Sequence, residues 1–341
     1  MVGKDIALDL GTSTIKIYTE GEGIVLNEPS VVAVDLIHDD IIAIGNQAYT
    51  MLGRTSDRIS VVQPLCNGVI SDYDLIQYTI QAFLKQITDN KVFMPRVVVS
   101  VPCEMTEVQR RAVVDSISGA GVRKICLIEE PIAAALGAGI DIEKPHGCFV
   151  VDIGGGTTDM AVISLSGIAI AKTILIAGDV FDDAIIKYMR FKYHLLIGKR
   201  TAEETKIAIG GVYPRVDMVK HRVKGRNLIT GLPQYADITG DELLECLLEP
   251  AMKITREIQR VLQTTPPELM GDILTDGMIL TGGSAQIYGF DKLISRKTNL
   301  LVRVAENPAF CVAQGAGKAI PFIDDMDKKE YGVMNPLSEV Y

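Results

Sequence analysis

Phe149-Val-Val-Asp-Ile-Gly-Gly-Gly-Thr-Thr-Asp159 is the stretch on which the fold turns. An apolar run that reads as a buried strand ends in an acid, and three consecutive glycines follow. Such a run costs backbone entropy that a turn serving only to reverse the chain would not need, while bare successive N–H groups can cradle phosphate oxygens. The next segment, Met160 to Ala177 (MAVISLSGIAIAKTILIA), approaches the length of a membrane span. Lys172 and the Ser166-Gly167 turn signal inside it predict a hairpin of about 160–165 and 168–175 instead.

The same grammar appears 143 positions earlier, where a strand leads into Asp9-Leu-Gly-Thr-Ser-Thr14. Strand signals at Ile6–Leu10, Ile15–Tyr18 and Ile24–Leu26 predict an antiparallel meander. Gly11 permits a tight turn, Thr12, Ser13 and Thr14 add hydroxyls, and Asp9 could hold a hydrated Mg²⁺; an ordinary hairpin turn fits this stretch as well. Neither loop is a P-loop, because no Gly-Lys-Ser/Thr follows the glycines. The chain therefore reads as two α/β halves from an internal duplication, with a cleft between them where ligands commonly bind.

Helices are predicted at 74–88, at 107–118 after the capping box Thr106-x-x-Gln109, and at 241–263 after Thr239-x-x-Glu242. Leu127-Ile-Glu-Glu-Pro-Ile-Ala-Ala-Ala135 ends a strand and starts a helix, Pro131 suiting its first turn. Glu129 and Glu130 either complement the helix dipole or, beside phosphate loops, supply one acid that orients and deprotonates a water. Gly277-Met-Ile-Leu-Thr-Gly-Gly-Ser-Ala285, followed by a helix near 286–296, admits close approach to a flat ring or tight helix–strand packing. Thr201 to Gly210 is a short amphipathic helix whose carboxylates and Lys206 either reach ribose hydroxyls or form a solvated face.

Composition limits the rest. The 341 residues carry a net charge of −9 without a run of five like charges, which argues against an extended nucleic-acid surface. Six scattered cysteines with no Cys-x-x-Cys read as buried thiols in a reducing cytosol, and the N-terminus does not read as a signal peptide. Glycine, 31 of 341 residues, exceeds the usual share of about 7%. Its excess is expected in the turns just described.

Asp9–Thr14, Glu129-Glu-Pro131, Asp152–Asp159 and Leu280–Ala285, in this order, resemble the actin, heat-shock chaperone and sugar kinase superfamily. The chain resembles most closely the MreB/Mbl family of bacterial actin-like cell-shape proteins, through Gly23–Val32, Met51–Thr55, Thr106–Ala112, Ile128–Ala138, Val151–Ser166, Thr230–Pro233 and Val302–Ile320. That resemblance implies an actin-like (ribonuclease H-like) duplicated α/β fold of four subdomains. Their expected bounds are 1–28, 67–144 and 315–341 for IA, 29–66 for IB, 145–179 and 241–314 for IIA, and 180–240 for IIB. It further implies ATP and Mg²⁺ in the cleft, slow hydrolysis, and ATP-dependent assembly with copies of itself into paired protofilaments. These would lie on the inner face of the cytoplasmic membrane, with cell-wall synthesis or membrane-anchor proteins as partners.

Residue by residue, the resemblance makes Glu130 the water-activating acid with Thr157 assisting, and Asp9 and Asp152 the metal positions, acting through water. Gly11, Thr12, Ser13, Thr14, Gly154, Gly155, Gly156 and Thr157 would hold phosphate, Glu203, Glu204, Thr205 and Lys206 the ribose, and Gly282, Gly283, Ser284 and Ala285 the adenine. Val92, Phe93 and Met94, flanked by Lys91 and Arg96, match an apolar loop that enters the bilayer. The family usually has Asn at the position of Thr14, an apolar residue at that of Lys16, Glu at that of Asp159 and Gly at that of Ser284. Lys16 lies where actin has a phosphate-binding lysine, so a β-phosphate contact is expected, with an exposed strand lysine as the other reading. A sugar kinase would need a hydroxyl-activating aspartate and a sugar pocket in the first half, neither of which is found. A chaperone-type or regulatory ATPase that forms no filaments is the alternative function.

Overall fold

The structure, a computed structural model, describes residues 5–87 and 95–326; Val92, Phe93 and Met94 lie outside the described residues. Two five-stranded sheets form the body. The first contains β1 (Ile6–Leu10), β2 (Thr14–Thr19), β3 (Gly23–Pro29), β9 (Arg96–Val101) and β10 (Lys124–Glu129) in the order β10-β9-β1-β2-β3. The second contains β11 (Cys148–Ile153), β12 (Thr158–Ser164), β13 (Gly167–Ile174), β17 (Met278–Thr281) and β18 (Val302–Val304) in the order β13-β12-β11-β17-β18. Each is an antiparallel meander continued by two parallel strands: β1 pairs antiparallel with β2 and parallel with β9, as β11 does with β12 and β17. Asp9 and Asp152 thus occupy equivalent strands of a duplicated α/β fold.

Each half carries a smaller module. In the first, β4 (Val32–Asp35), β5 (Asp40–Ile44), β6 (Ile59–Val62) and α1 (Gly45–Met51) are followed by a ribbon of β7 (Leu65–Cys66) and β8 (Val69–Ile70). In the second, α6 (Lys199–Ile209) joins a sheet of β14 (Leu195–Leu196), β15 (Lys220–Asn227) and β16 (Pro233–Thr239). Helices α2 (Tyr73–Ile87) and α3 (Glu107–Gly119) flank the first large sheet; α5 (Gly178–Tyr193), α7 (Gly240–Thr264), α8 (Pro267–Asp276) and α9 (Phe290–Thr298) belong to the second half. Both capping boxes form, at Thr106 with Gln109 and at Thr239 with Glu242. The stripe Leu243, Leu247, Ala251, Ile254, Ile258 and Val261 is buried, and α7 continues through Pro250. The hairpin turn at Leu165-Ser166 has both residues at positive φ, 52° and 60°, as a two-residue turn matched to strand twist requires. No helix among the described residues is long and apolar enough to cross a membrane.

One predicted helix begins later than expected. A 3₁₀ turn spans Gly283–Gln286, and α9 starts only at Phe290, because Ile287 is extended and Gly289 takes a left-handed φ of 81°; the Tyr288 carbonyl between them accepts the Val212 N–H at 2.9 Å. The thiol expectation is also corrected in part: no cysteine is disulfide-bonded and Cys126 and Cys311 are buried, but Cys66 is exposed on its short ribbon.

Strand alternation sorts the core. Ile6, Leu8 and Leu10 face the cluster under α2 and α3, whereas Ala7 faces the other way; Phe149, Val151 and Ile153 likewise enter the core of the second half, whereas Val150 does not. Ala7 and Val150 meet in a central cluster supplied by α4 (Glu130–Gly137) and α10 (Cys311–Lys318). Those two helices pack backbone against backbone. A Cβ added to Gly137 would land on the Cys311 carbonyl, and one added to Gly315 on that of Ala133.

Gly315→Ala should therefore destabilise the chain by about 1–3 kcal/mol, although Ala is the better helix former. Gly271→Ala in α8, where an added Cβ meets nothing within 4 Å, should be neutral or stabilising. Thermal melts of both variants check this; equal midpoints would contradict the packing argument.

Candidate functional site

The alternation that buries Leu8 and Val151 turns Asp9 and Asp152 toward the space between the halves, each 6% exposed. The loops after them meet there. Gly156 abuts Thr12, whose Oγ1 would lie 2.6 Å from an added Cβ, and Gly155 is packed still more closely on Ser13, whose Oγ would overlap one. The Gly68 N–H donates to Thr12 Oγ1 at 3.0 Å, bringing the β7–β8 ribbon to the same point. Together they edge a cavity of about 640 Å³.

Most residues named from sequence line that cavity: Asp9, Gly11 to Thr14, Lys16, Glu130, Asp152, Gly154 to Thr157, Glu203, Lys206 and Gly282 to Ser284. Three do not. Glu204 turns outward to Arg200 at 2.9 Å, Thr205 is buried with its hydroxyl on the Thr201 carbonyl at 2.7 Å, and Ala285 packs into the core of the second half. Helix geometry explains the split on α6, because Glu203 and Lys206 are three apart and share a face that Glu204 and Thr205 leave. Of the two acids before Pro131, Glu130 lines the cavity and Glu129 does not.

The two halves differ in charge. Lys16 lies directly across the β1–β2 ladder from Asp9, with Nζ 2.9 Å from Oδ2 and both side chains buried, so the exposed-lysine reading is excluded. Its equivalent across β11–β12 is Asp159 facing Asp152, acid against acid. Thr281 donates to Asp152 Oδ1 at 2.7 Å and Thr173 to Asp159 Oδ1 at 2.6 Å, while Asp159 Oδ2 has no partner among the described residues. Burial pushes Asp152 up to about 7 and raises Asp159 too. Glu130 is held well above the usual carboxylate range by burial first, then by the charges of Asp159, Asp152 and Asp9.

Such a site favours a cation. Among the described residues no three His, Cys, Asp or Glu side chains are arranged to grip a metal directly. The narrow glycine loops suit phosphate oxygens, and an added Cβ at Gly283 would project into open space. At the far end Lys206 bonds Asp182 at 2.9 Å and the Gly178 carbonyl at 3.0 Å, and Arg215 stacks 4.3 Å from the Tyr288 ring centre. Gly178, Arg215 and Tyr288 line the cavity but are not marked by any motif, since each reaches it through tertiary packing. Asp159 could have been assigned from sequence: the 143-residue offset carries Lys16 onto it.

A model of the MreB/Mbl protein family matches residues 3–328. The cell shape-determining protein MreB of Escherichia coli (strain K12) is 45% identical over 330 residues, 95% of each chain. The cell shape-determining protein Mbl of Bacillus subtilis (strain 168) is 40% identical over 331 residues, 97% of this chain and 99% of that one. Among solved structures, MreB5 of Spiroplasma citri bound to ADP superposes with a TM-score of 0.91 at 36% identity, covering 96% of this chain and 99% of that one. A MamK double helical filament has a TM-score of 0.79 at 19% identity, covering 93% and 98%, and shares the fold.

Asp152 yields a pH prediction. With a folded value of about 7 against 3.8, the native metal-free chain holds an extra proton between about pH 4 and 7, so its stability falls as pH rises through that window and levels off above it. Asp152→Asn should flatten the profile by about 2–4 kcal/mol across the window. Denaturant unfolding in chelator at pH 5 to 8 measures it; parallel profiles would refute the assignment.

Proposed function

Because the chain belongs to the MreB/Mbl family, we propose that it is an ATP-binding, slowly ATP-hydrolysing, actin-like cytoskeletal protein. Its filaments lie at the inner face of the cytoplasmic membrane and help set cell shape by organising cell-wall synthesis. The observation that carries this reading is the meeting of two duplicated glycine loops on one cavity, with a buried glutamate at a helix start beside them. Gly11 to Thr14 and Gly154 to Thr157 offer N–H and hydroxyl donors to the phosphates, with Lys16 facing the β-phosphate. Glu203 and Lys206 take the ribose, and Gly282 to Ser284 the adenine. Asp9 and Asp152 would hold Mg²⁺ through its waters, and the ion would neutralise charge on the phosphate oxygens.

Glu130 is fixed at the first turn of α4, and Pro131 removes an N–H that would have no helical partner there. Its raised proton affinity strengthens the Glu130 carboxylate as a base toward a water whose oxygen attacks the γ-phosphorus as ADP departs. Thr157, 7% exposed on the second loop, orients that water. ATP draws the halves into the shape that assembles, and hydrolysis loosens it. We assign 29–66 and 180–240 as the two inserted subdomains, IB and IIB, and the rest as IA and IIA.

Glu130→Gln should lower phosphate release about 10²-fold or more while filaments still form with ATP and persist longer. Phosphate assay, pelleting and negative-stain microscopy together test this. Absence of filaments under every nucleotide and lipid condition would instead favour the non-filament alternative.

Val92, Phe93 and Met94 are proposed as the membrane contact, with Lys91 for anionic headgroups; Arg96 is instead paired with Asp5 and Asp324. Replacing Phe93 and Met94 by Asp together should cut co-sedimentation with anionic vesicles at least tenfold without changing the melting temperature by more than about 2 °C. Undiminished binding would remove the loop as the anchor.

A further inference from the structure

Tyr49 lies on α1 in the small module of the first half, and its hydroxyl donates to Glu203 Oε2 at 2.7 Å across the mouth of the cleft. The partner is 154 positions away, on α6 of the second half. Arg200, one turn before Glu203, sets its guanidinium carbon 5.3 Å from the Tyr49 ring centre, within reach of a cation–π attraction. Burial, and then the neighbouring Glu203 carboxylate, raise the phenol well above its ordinary range, so the hydroxyl remains a donor at any physiological pH.

The halves are also tied at the opposite end of the interface. Glu104 pairs with Lys172 at 2.8 Å and accepts the Thr173 N–H at 3.0 Å, while the Cys103 N–H points to Asp159 at 3.4 Å. These contacts lie just past the C-terminal end of β9, beside Asp159, and do not involve α1 or α6, so they can persist while the mouth opens. The Tyr49–Glu203 bond spans the mouth and must break whenever the two lips part. Glu203 also lines the cavity, so one carboxylate serves both the closure and the site.

We propose that Tyr49 is a positioning residue that fixes the Glu203 carboxylate at the ribose end of the cleft and latches the two lips over a bound nucleotide, thereby setting how long the nucleotide stays. The proposal rests on the reading of the cleft as a nucleotide site. A half-buried hydrogen bond to a charged acceptor is of the size that changes a release rate about tenfold. Its effect falls on release rather than capture, because the latch forms only after the lips meet.

Tyr49→Phe keeps the ring and its contact with Arg200 and removes only the hydroxyl. Release of 1,N⁶-etheno-ADP, whose ribose hydroxyls are unmodified, is followed by stopped flow against excess ATP, below the concentration for assembly. The expected result is release about tenfold faster, with association changed less than twofold and an unchanged melting temperature without nucleotide. In a Glu203→Gln background the Tyr49→Phe effect should shrink to twofold or less, because the charged acceptor is gone. Unchanged release in Tyr49→Phe, or an equal acceleration in both backgrounds, would overturn the latch while leaving the nucleotide site standing. Failure of the unaltered chain to bind the probe would overturn the nucleotide reading, and the latch with it.

Discussion

The crossing of α4 and α10 is the contact from which the rest of the geometry follows. It lies between the inward faces of the two large sheets, and it can be so close only because glycine and alanine meet there: Gly137 against Cys311, Gly315 against Ala133. Larger residues would hold the sheets further apart, and the loops after Asp9 and Asp152 would no longer touch. Since α4 begins at Glu130, the same crossing that joins the halves also fixes where that carboxylate stands. Packing and chemistry are therefore set by one helix pair.

Burial at this junction removes water from four acids while supplying one buried lysine. Asp9 has Lys16 beside it; Asp152 has the Thr281 hydroxyl, and Asp159 the Thr173 hydroxyl and the Cys103 N–H. Desolvation outweighs those donors, which is why Asp152 and Asp159 are raised despite their partners, while burial and the neighbouring acids together raise Glu130. The arrangement is costly for an empty pocket and suits one that receives a cation with its ligand.

Much of this was legible in the sequence where the signal is local. The acid–glycine turns, both capping boxes and the apolar stripe of α7 depend on residues a few positions apart, and each formed as read. The split on α6 was legible in principle from helical spacing, yet Glu204 and Thr205 were carried along with Glu203 and Lys206 because a motif names a stretch rather than a face. What could not be read was long-range: Tyr49 meets Glu203 only because two inserted modules lean together, and the Tyr288 carbonyl meets the Val212 N–H only through the fold. Sequence pattern holds no record of either approach.

The ladder partners Lys16 and Asp159 occupy matching places in the duplicated halves and carry opposite charge. A chain that began as two like lobes has in this way lost its rotational symmetry at the one place where a ligand would sense it. A molecule with unlike ends can lie in such a groove in only one sense, so the exchange of one cation for one anion gives the cleft a compass bearing.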